Sequence, residues 1–167
     1  MKTTQSTRNH GFRSGYSTET QLFVTVNDLL ELYDKNKQVD IAILDFYKAF
    51  DTVPHDQLLQ KLDNYGVRGN ILQSLTCFLK NRKMNVVVKG EHSDSVPVES
   101  GVPQGTVLCP LMFLCHINDL PDTVESSVRL FADDCLLYRP IRFRNDHLIY
   151  RENYKNLKDR LTFGTCS

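Results

Sequence analysis

Three aspartates carry the first chemical signal in this chain. Asp45 closes the β-branched run VDIAILD, while Asp133 and Asp134 stand side by side between two apolar stretches, VRLF and CLLY. The run predicts a short buried strand, and the pair predicts the tip of a hairpin. Carboxylates so placed are poorly solvated, and a like-charged pair there either holds a proton or requires a cation. Oxygen-only ligands at strand ends suit Mg²⁺, and two-metal phosphoryl transfer uses carboxylates bridging ions about 4 Å apart. Taken alone, Ala132-Asp133-Asp134 also fits ordinary turn chemistry, because Asp is a favoured turn residue.

Elements able to hold these groups are legible along the chain. Residues 1–16 are polar and read as a loop. Thr18-x-x-Gln21 offers a capping box ahead of Leu22, Phe23, Val26, Leu29, Leu30 and Tyr33, whose spacing predicts an amphipathic helix. After Pro54, residues 55–65 put Leu58, Leu59 and Leu62 on one face and stop at Gly66. A helix at 69–80 and a hairpin from 84–89 and 95–98 follow. Residues 101–105 form a Gly/Pro turn, 106–118 an apolar helix closed by Pro121, and 128–138 two strands around the aspartate pair. A weaker helical pattern runs through Tyr150, Tyr154, Leu157 and Leu161, and the final GTCS carries no element. Helices mixed with strands that end in a hairpin predict an α+β layer architecture in one domain.

Composition bounds the function. The 167 residues are 41% hydrophobic and 24% charged, which excludes collagen-like and wholly disordered chains. Lys plus Arg and Asp plus Glu number 20 each, so the zero net charge argues against strong autonomous phosphate binding while permitting a locally basic cleft. Between residues 136 and 160, seven Lys or Arg face three acids, a pattern usual for a solvated helix face. Cys77, Cys109, Cys115, Cys135 and Cys166 form no C-x-x-C pair, as expected of a reducing, intracellular compartment, cytoplasm or nucleus. No apolar run approaches the roughly 20 residues of a membrane span.

Two more segments sharpen the carboxylate signal. These are Leu44-Asp45-Phe46-Tyr47-Lys48-Ala49-Phe50-Asp51-Thr52-Val53-Pro54 and Ser100-Gly101-Val102-Pro103-Gln104-Gly105. With Phe131-Ala132-Asp133-Asp134 they resemble motifs A, B and C of reverse transcriptases, particularly those of LINE-type (non-LTR) retrotransposons. His10-Gly11-Phe12-Arg13-Ser14-Gly15 and Ile117-Asn118-Asp119-Leu120-Pro121 extend the resemblance to about residues 9–160. It implies RNA-directed DNA synthesis, with an RNA template, a DNA primer and dNTPs as partners and two Mg²⁺ ions, or Mn²⁺, as cofactors. The implied fold is the antiparallel palm of a polymerase right hand packed on helices, with partial fingers. Residues 1–36 are then a fingers remnant with the first helix, 37–140 the palm, and 141–167 a truncated or divergent tail.

The resemblance also implies roles. Asp45, Asp133 and the Phe46 carbonyl bind metal, with Asp134 as third acid. Phe50 gates the sugar of the incoming nucleotide, rejecting a 2′-OH by clash; without the resemblance it reads as a core aromatic. Gln104 meets the templating pair or the nucleotide, and Gly101 and Gly105 permit close backbone approach. Arg13 and Arg82 are candidate template or phosphate contacts. Tyr47, Thr106, Cys109 and His116 depart from the family's usual Ser, Ser, Gly and Tyr, with Tyr47 and Cys109 expected to add bulk near the nucleotide cleft. His116 reads as a core residue. Basic fingers residues, a lysine motif, a primer grip and a thumb are not found in the sequence. A non-catalytic retroelement remnant or RNA-binding relic is therefore the alternative, and activity of this chain alone is not expected. An RNA-dependent RNA polymerase is disfavoured by Phe50. Oligomeric state is left open.

Overall fold

The first helix starts at Ser17, one residue ahead of the capping box expected from sequence. In the computed structural model, which describes residues 9–35 and 38–162, Ser17 has extended backbone and accepts from the Thr20 N–H. Thr20 Oγ1 accepts reciprocally from the Ser17 N–H. Expectations for residues 1–8, Cys166 and the GTCS tail lie outside the described residues.

The chain forms two interleaved units. The first draws on Met1–Tyr47 and Ile117–Ser167, the second on Lys48–His116.

In the first unit, β1 (Gln38–Asp45), β6 (Ser127–Phe131) and β7 (Asp134–Ile141) make an antiparallel sheet of order β1-β7-β6, with α1 (Thr18–Asp34) and α5 (Arg144–Thr162) packed on it. A short 3₁₀ turn, Leu120–Thr123, places Pro121 where sequence expected a stop. Val128, Leu130, Cys135, Leu137 and Leu157 are buried, and burial pushes the Cys135 thiol up to about 12, so this cysteine serves as a small hydrophobe. Strand β1 is not the buried strand expected. It lies at the sheet edge, where Ile41 and Ile43 are exposed and only Leu44 is fully covered.

Helix α1 reverses its expected orientation. Leu22, Phe23, Val26, Leu30 and Tyr33 are exposed, while Gln21 and Thr25 are buried. The cause is a charged anchor: Asp28 Oδ2 accepts from Arg129 Nη2 at 2.6 Å and from the Tyr138 hydroxyl. Turning the apolar stripe inward would carry Asp28 away from a three-quarters-buried guanidinium, at a cost of several kcal/mol. Asp28→Ala is therefore expected to cost about 2 kcal/mol, the buried-pair figure reduced for partial exposure. Phe23→Ser should stay within about 0.5 kcal/mol of the parent. Urea titration of the two variants checks both, and the reverse order would contradict this orientation.

The second unit holds α2 (His55–Asn64) against α3 (Gly69–Leu79), and α4 (Leu108–Ile117) runs to its boundary with the first. The expected hairpin forms in two steps. Lys83–Met84 (β2) pairs with Val96–Pro97 (β5), and Val87–Val88 (β3) with Glu91–His92 (β4). Leu58, Leu62, Leu79, Val102, Cys109, Met112 and Phe113 are among the buried side chains of this unit.

Candidate active site

The β1–β7 register brings the carboxylates together. Asp45 is the cross-strand partner of Asp134, across a ladder that begins at Gln38 opposite Ile141. Phe131 pairs with Asp134, so Ala132 and Asp133 form a two-residue hairpin loop. Opposed strand residues have Cβ atoms about 5 Å apart, close enough for the three charges to feel one another. Partial burial first, then the charges of Asp133 and Asp45, hold the Asp134 carboxyl above the usual aspartate range.

The donor set consists of carboxylate oxygens at a strand end, which suits a hard divalent cation, and the raised Asp134 marks a charge excess that a cation would relieve. Among the described residues, no group of three or more His, Cys, Asp or Glu side chains is placed to hold a metal ion.

The turn is strained and supported from behind. Ala132 has φ 51°, at the first central position where such hairpins favour glycine. The segment 9–13 underlies it: Asn9 bridges Leu130, the His10 N–H donates to the Leu130 carbonyl at 3.2 Å, and the Gly11 N–H donates to Asn9 Oδ1 at 2.9 Å. Gly11 passes so close to Ala132 that a Cβ on it would meet the Ala132 nitrogen at 2.2 Å.

In the second unit, the backbone joins the stretch after Asp45 to the Ser100–Gly105 loop. The Val102 N–H donates to the Phe50 carbonyl at 2.7 Å, the Gly101 N–H to the Val53 carbonyl at 2.8 Å, and Ser100 Oγ to the Asp51 carbonyl at 2.8 Å. Phe50 packs on Phe113 with ring centroids 4.6 Å apart. Gln104 is exposed, its Nε2 at the 3.5 Å hydrogen-bond limit from Asp51 Oδ1, and Gly105 has open space around it.

Residues 2–161 match the family described as reverse transcriptase (RNA-dependent DNA polymerase). This chain belongs to the reverse transcriptase family. It is 32% identical over 143 residues to the probable RNA-directed DNA polymerase from transposon BS of Drosophila melanogaster, covering 77% of this chain and 15% of that protein. It is 35% identical over 112 residues to the RNA-directed DNA polymerase from mobile element jockey of Drosophila funebris, 67% of this chain and 12% of that protein. A polyprotein of the type-1 retrotransposable element R2 of Popillia japonica is 29% identical over 116 residues, 62% of this chain and 19% of that protein. The likeness places the chain among the reverse transcriptase domains of non-LTR retrotransposons. The chain spans roughly a sixth of the relatives' length.

Several of the residues singled out in the sequence make contacts within the chain. Arg13 and Arg82 each make ties within the chain. Arg13 Nη2 donates to Asn118 Oδ1 at 3.3 Å, linking two motif segments. Arg82 Nη2 donates to the Gly101 carbonyl at 2.7 Å and its Nε to the Leu79 carbonyl at 3.0 Å. Cys109 turns its sulfur inward toward the Val102 carbonyl at 3.8 Å, so its bulk is buried in the second unit, while Tyr47 is exposed. His116 is half-buried, and its carbonyl accepts from Lys61 Nζ.

Sequence reasoning missed His55, Asn9 and the packing role of Gly11. The buried His55 places Nε2 2.8 Å from the same Gly101 carbonyl, so this nitrogen carries the proton and shares the loop clamp with Arg82. A polar residue at the start of an otherwise apolar helix face, His55 ahead of Leu58 and Leu62, was the available signal.

Proposed function

We propose that this chain is the palm segment of an RNA-directed DNA polymerase, acting on an RNA template, a DNA primer and dNTPs inside the cell, in cytoplasm or nucleus. The β1-β7-β6 sheet is the palm surface, α1 with the preceding segment the fingers remnant, and α5 a divergent tail. One observation carries the reading: the pairing of Asp45 with Asp134, with Asp133 at the adjoining turn, in a chain of this family. Among the described residues no helix is long and apolar enough to cross a membrane.

Asp45, Asp133 and the Phe46 carbonyl hold the cations in this reading, with Asp134 completing the negative field. Two Mg²⁺ ions, or Mn²⁺, supply activation of the primer 3′-OH and charge neutralisation at the leaving pyrophosphate. Phe50 sets its ring against the sugar and excludes a 2′-OH. Gln104 orients the nucleotide, and the bare backbone at Gly105 lets it approach.

Mn²⁺ is the direct test. At ten times its dissociation constant it is expected to stabilise the chain by about 1.4 kcal/mol, a rise of about 3–5 °C in Tm. Asp133→Asn should lose most of that shift; an equal shift in the variant places the metal elsewhere. The acid balance adds a pH signature. Asp134 binds its proton more tightly folded than unfolded, so the stability it contributes is present below the ordinary aspartate range and lost as pH rises through that range to the raised value. Asp134→Asn should therefore match the parent in acid, exceed it at neutral pH, and lose the advantage when Mn²⁺ saturates the parent.

The match to the transposon BS polymerase covers 15% of that protein. Phosphoryl transfer depends on positioning, and a misplacement of about 1 Å already costs about a hundredfold. These 167 residues on their own are thus expected to leave a primer on an RNA template unextended. Incorporation that disappears in Asp133→Ala would show that the palm segment suffices.

A further inference from the structure

A continuous apolar stripe runs along the outer side of α1. Leu22, Val26, Leu30 and Tyr33 recur at intervals of four, four and three residues, the spacing that stacks side chains on one helix face. Phe23 lies beside them, three residues before Val26 and seven before Leu30. All five are between 43% and 76% exposed. The helix cannot roll them inward, because its other side is committed: Gln21 and Thr25 are buried and Asp28 grips Arg129. Together they expose on the order of 500 Å² of apolar surface, in the upper part of the range for the largest patch on a monomer, about 300–600 Å².

Charge narrows what can cover this stripe. From Thr18 to Asp34 the helix carries the acids Glu19, Asp28, Glu31 and Asp34 and no Lys or Arg. Helices that lie on a membrane surface pair their apolar face with a basic one, so anionic headgroups are repelled here. No charge interrupts the stripe itself between Leu22 and Tyr33, since Asp28 is held at the sheet and Glu31 is tied to Lys35 Nζ at 3.7 Å. Such a stripe is self-complementary: set against itself across a two-fold axis, it buries apolar surface on apolar surface with no like charges opposed. Two copies would remove about 1,000 Å² from water, which reaches what a specific interface needs and stays below the standard of about 1,600 Å².

We propose that α1 packs on α1 of a second copy of this chain, stripe against stripe, in a weak two-fold dimer. Helix surfaces of this kind interlock as ridges in grooves, and Phe23 and Tyr33 supply the aromatic side chains in which interface cores are enriched. At this area a dissociation constant of about 10–100 μM is expected, so the dilute solutions used for denaturation hold the monomer. The dimer goes beyond the polymerase reading and uses none of the aspartates around the hairpin turn.

The test is sedimentation velocity of the full chain between about 1 and about 300 μM, a range that brackets the expected constant, in EDTA so that no metal bridges two copies. The parent should pass from monomer to dimer. Phe23→Ser with Leu30→Ser, both at exposed positions, should weaken association about tenfold or more and leave the circular dichroism of the monomer unchanged. Ile71→Ser removes a comparably exposed apolar side chain from α3 and should dimerise as the parent does. Val26 stands near the middle of the stripe, so Val26→Lys and Val26→Glu should each be monomeric alone and associate when mixed, a rescue that unspecific stickiness does not give. A parent that stays monomeric to about 300 μM overturns the proposal, and so does dimerisation unchanged in the double serine variant. Binding of a monomeric parent to phosphatidylserine vesicles, lost in that variant, overturns it in favour of a lipid surface.

Discussion

Gly11→Ala is expected to destabilise the first unit by about 3 kcal/mol, the upper end for overpacking a filled site. The added methyl would lie 2.2 Å from the Ala132 nitrogen and 2.8 Å from its Cα. Both are backbone atoms of a two-residue turn already holding Ala132 at φ 51°, so no side chain can swing aside. Relief requires the 9–13 segment to lift off the hairpin, which breaks the Asn9 and His10 ties to Leu130. The carboxylates ride on that hairpin. The variant is therefore expected to lose the Mn²⁺ shift together with stability, while Gly15→Ala, with φ +79° and open space around it, should cost only about 1–2 kcal/mol and keep the shift. Urea denaturation and Mn²⁺ titration of the pair check this. A fully stable Gly11→Ala would show that the segment does not support the turn.

Gly101→Ala is expected to cost about 2–5 kcal/mol in the second unit, reaching the largest effect foreseen for a single methyl group. Two penalties add here. Its φ of +84° is a conformation that costs an L-residue about 1–2 kcal/mol, and its Cβ would meet the Asp51 carbonyl oxygen at 2.7 Å and Cα at 2.8 Å, an overpacking of about 1–3 kcal/mol. His55 and Arg82 grip the Gly101 carbonyl, so the loop cannot move away from Asp51 without releasing both. Gly105, with φ +81° and nothing within 4 Å, should lose only the conformational part on change to Ala. Equal denaturation midpoints for the two variants would contradict the close packing of this loop on the stretch after Asp45.

How much of this was legible in the sequence follows from the range of the interactions. The elements rest on neighbours three or four residues apart: Leu58 and Leu62 define α2, Gly66 ends it, and the apolar arms around Asp133 and Asp134 define a hairpin. Each was readable, within a residue or two, because periodicity and turn chemistry are local. The motif residues were readable for the same reason, being short contiguous strings that kept their order, and they carried the family with them.

What depended on distant pairings was not legible. The outward apolar face of α1 follows from Asp28 meeting Arg129, more than 100 residues away, and nothing in the spacing of Leu22 to Tyr33 announces a charged anchor on the opposite face. The ties of Arg13 and Arg82, the clamp from His55 and the closeness of Gly11 to Ala132 likewise join segments far apart in the chain. The sequence by itself determined which groups are present and which local elements carry them. Only the tertiary structure decided that Asp45 faces Asp134, that β1 is an edge, and that the glycines at 11 and 101 are packing contacts. The physical reason is that register and close approach are properties of pairs brought together by folding, and one strand's pattern is compatible with several partners until the others occupy their places.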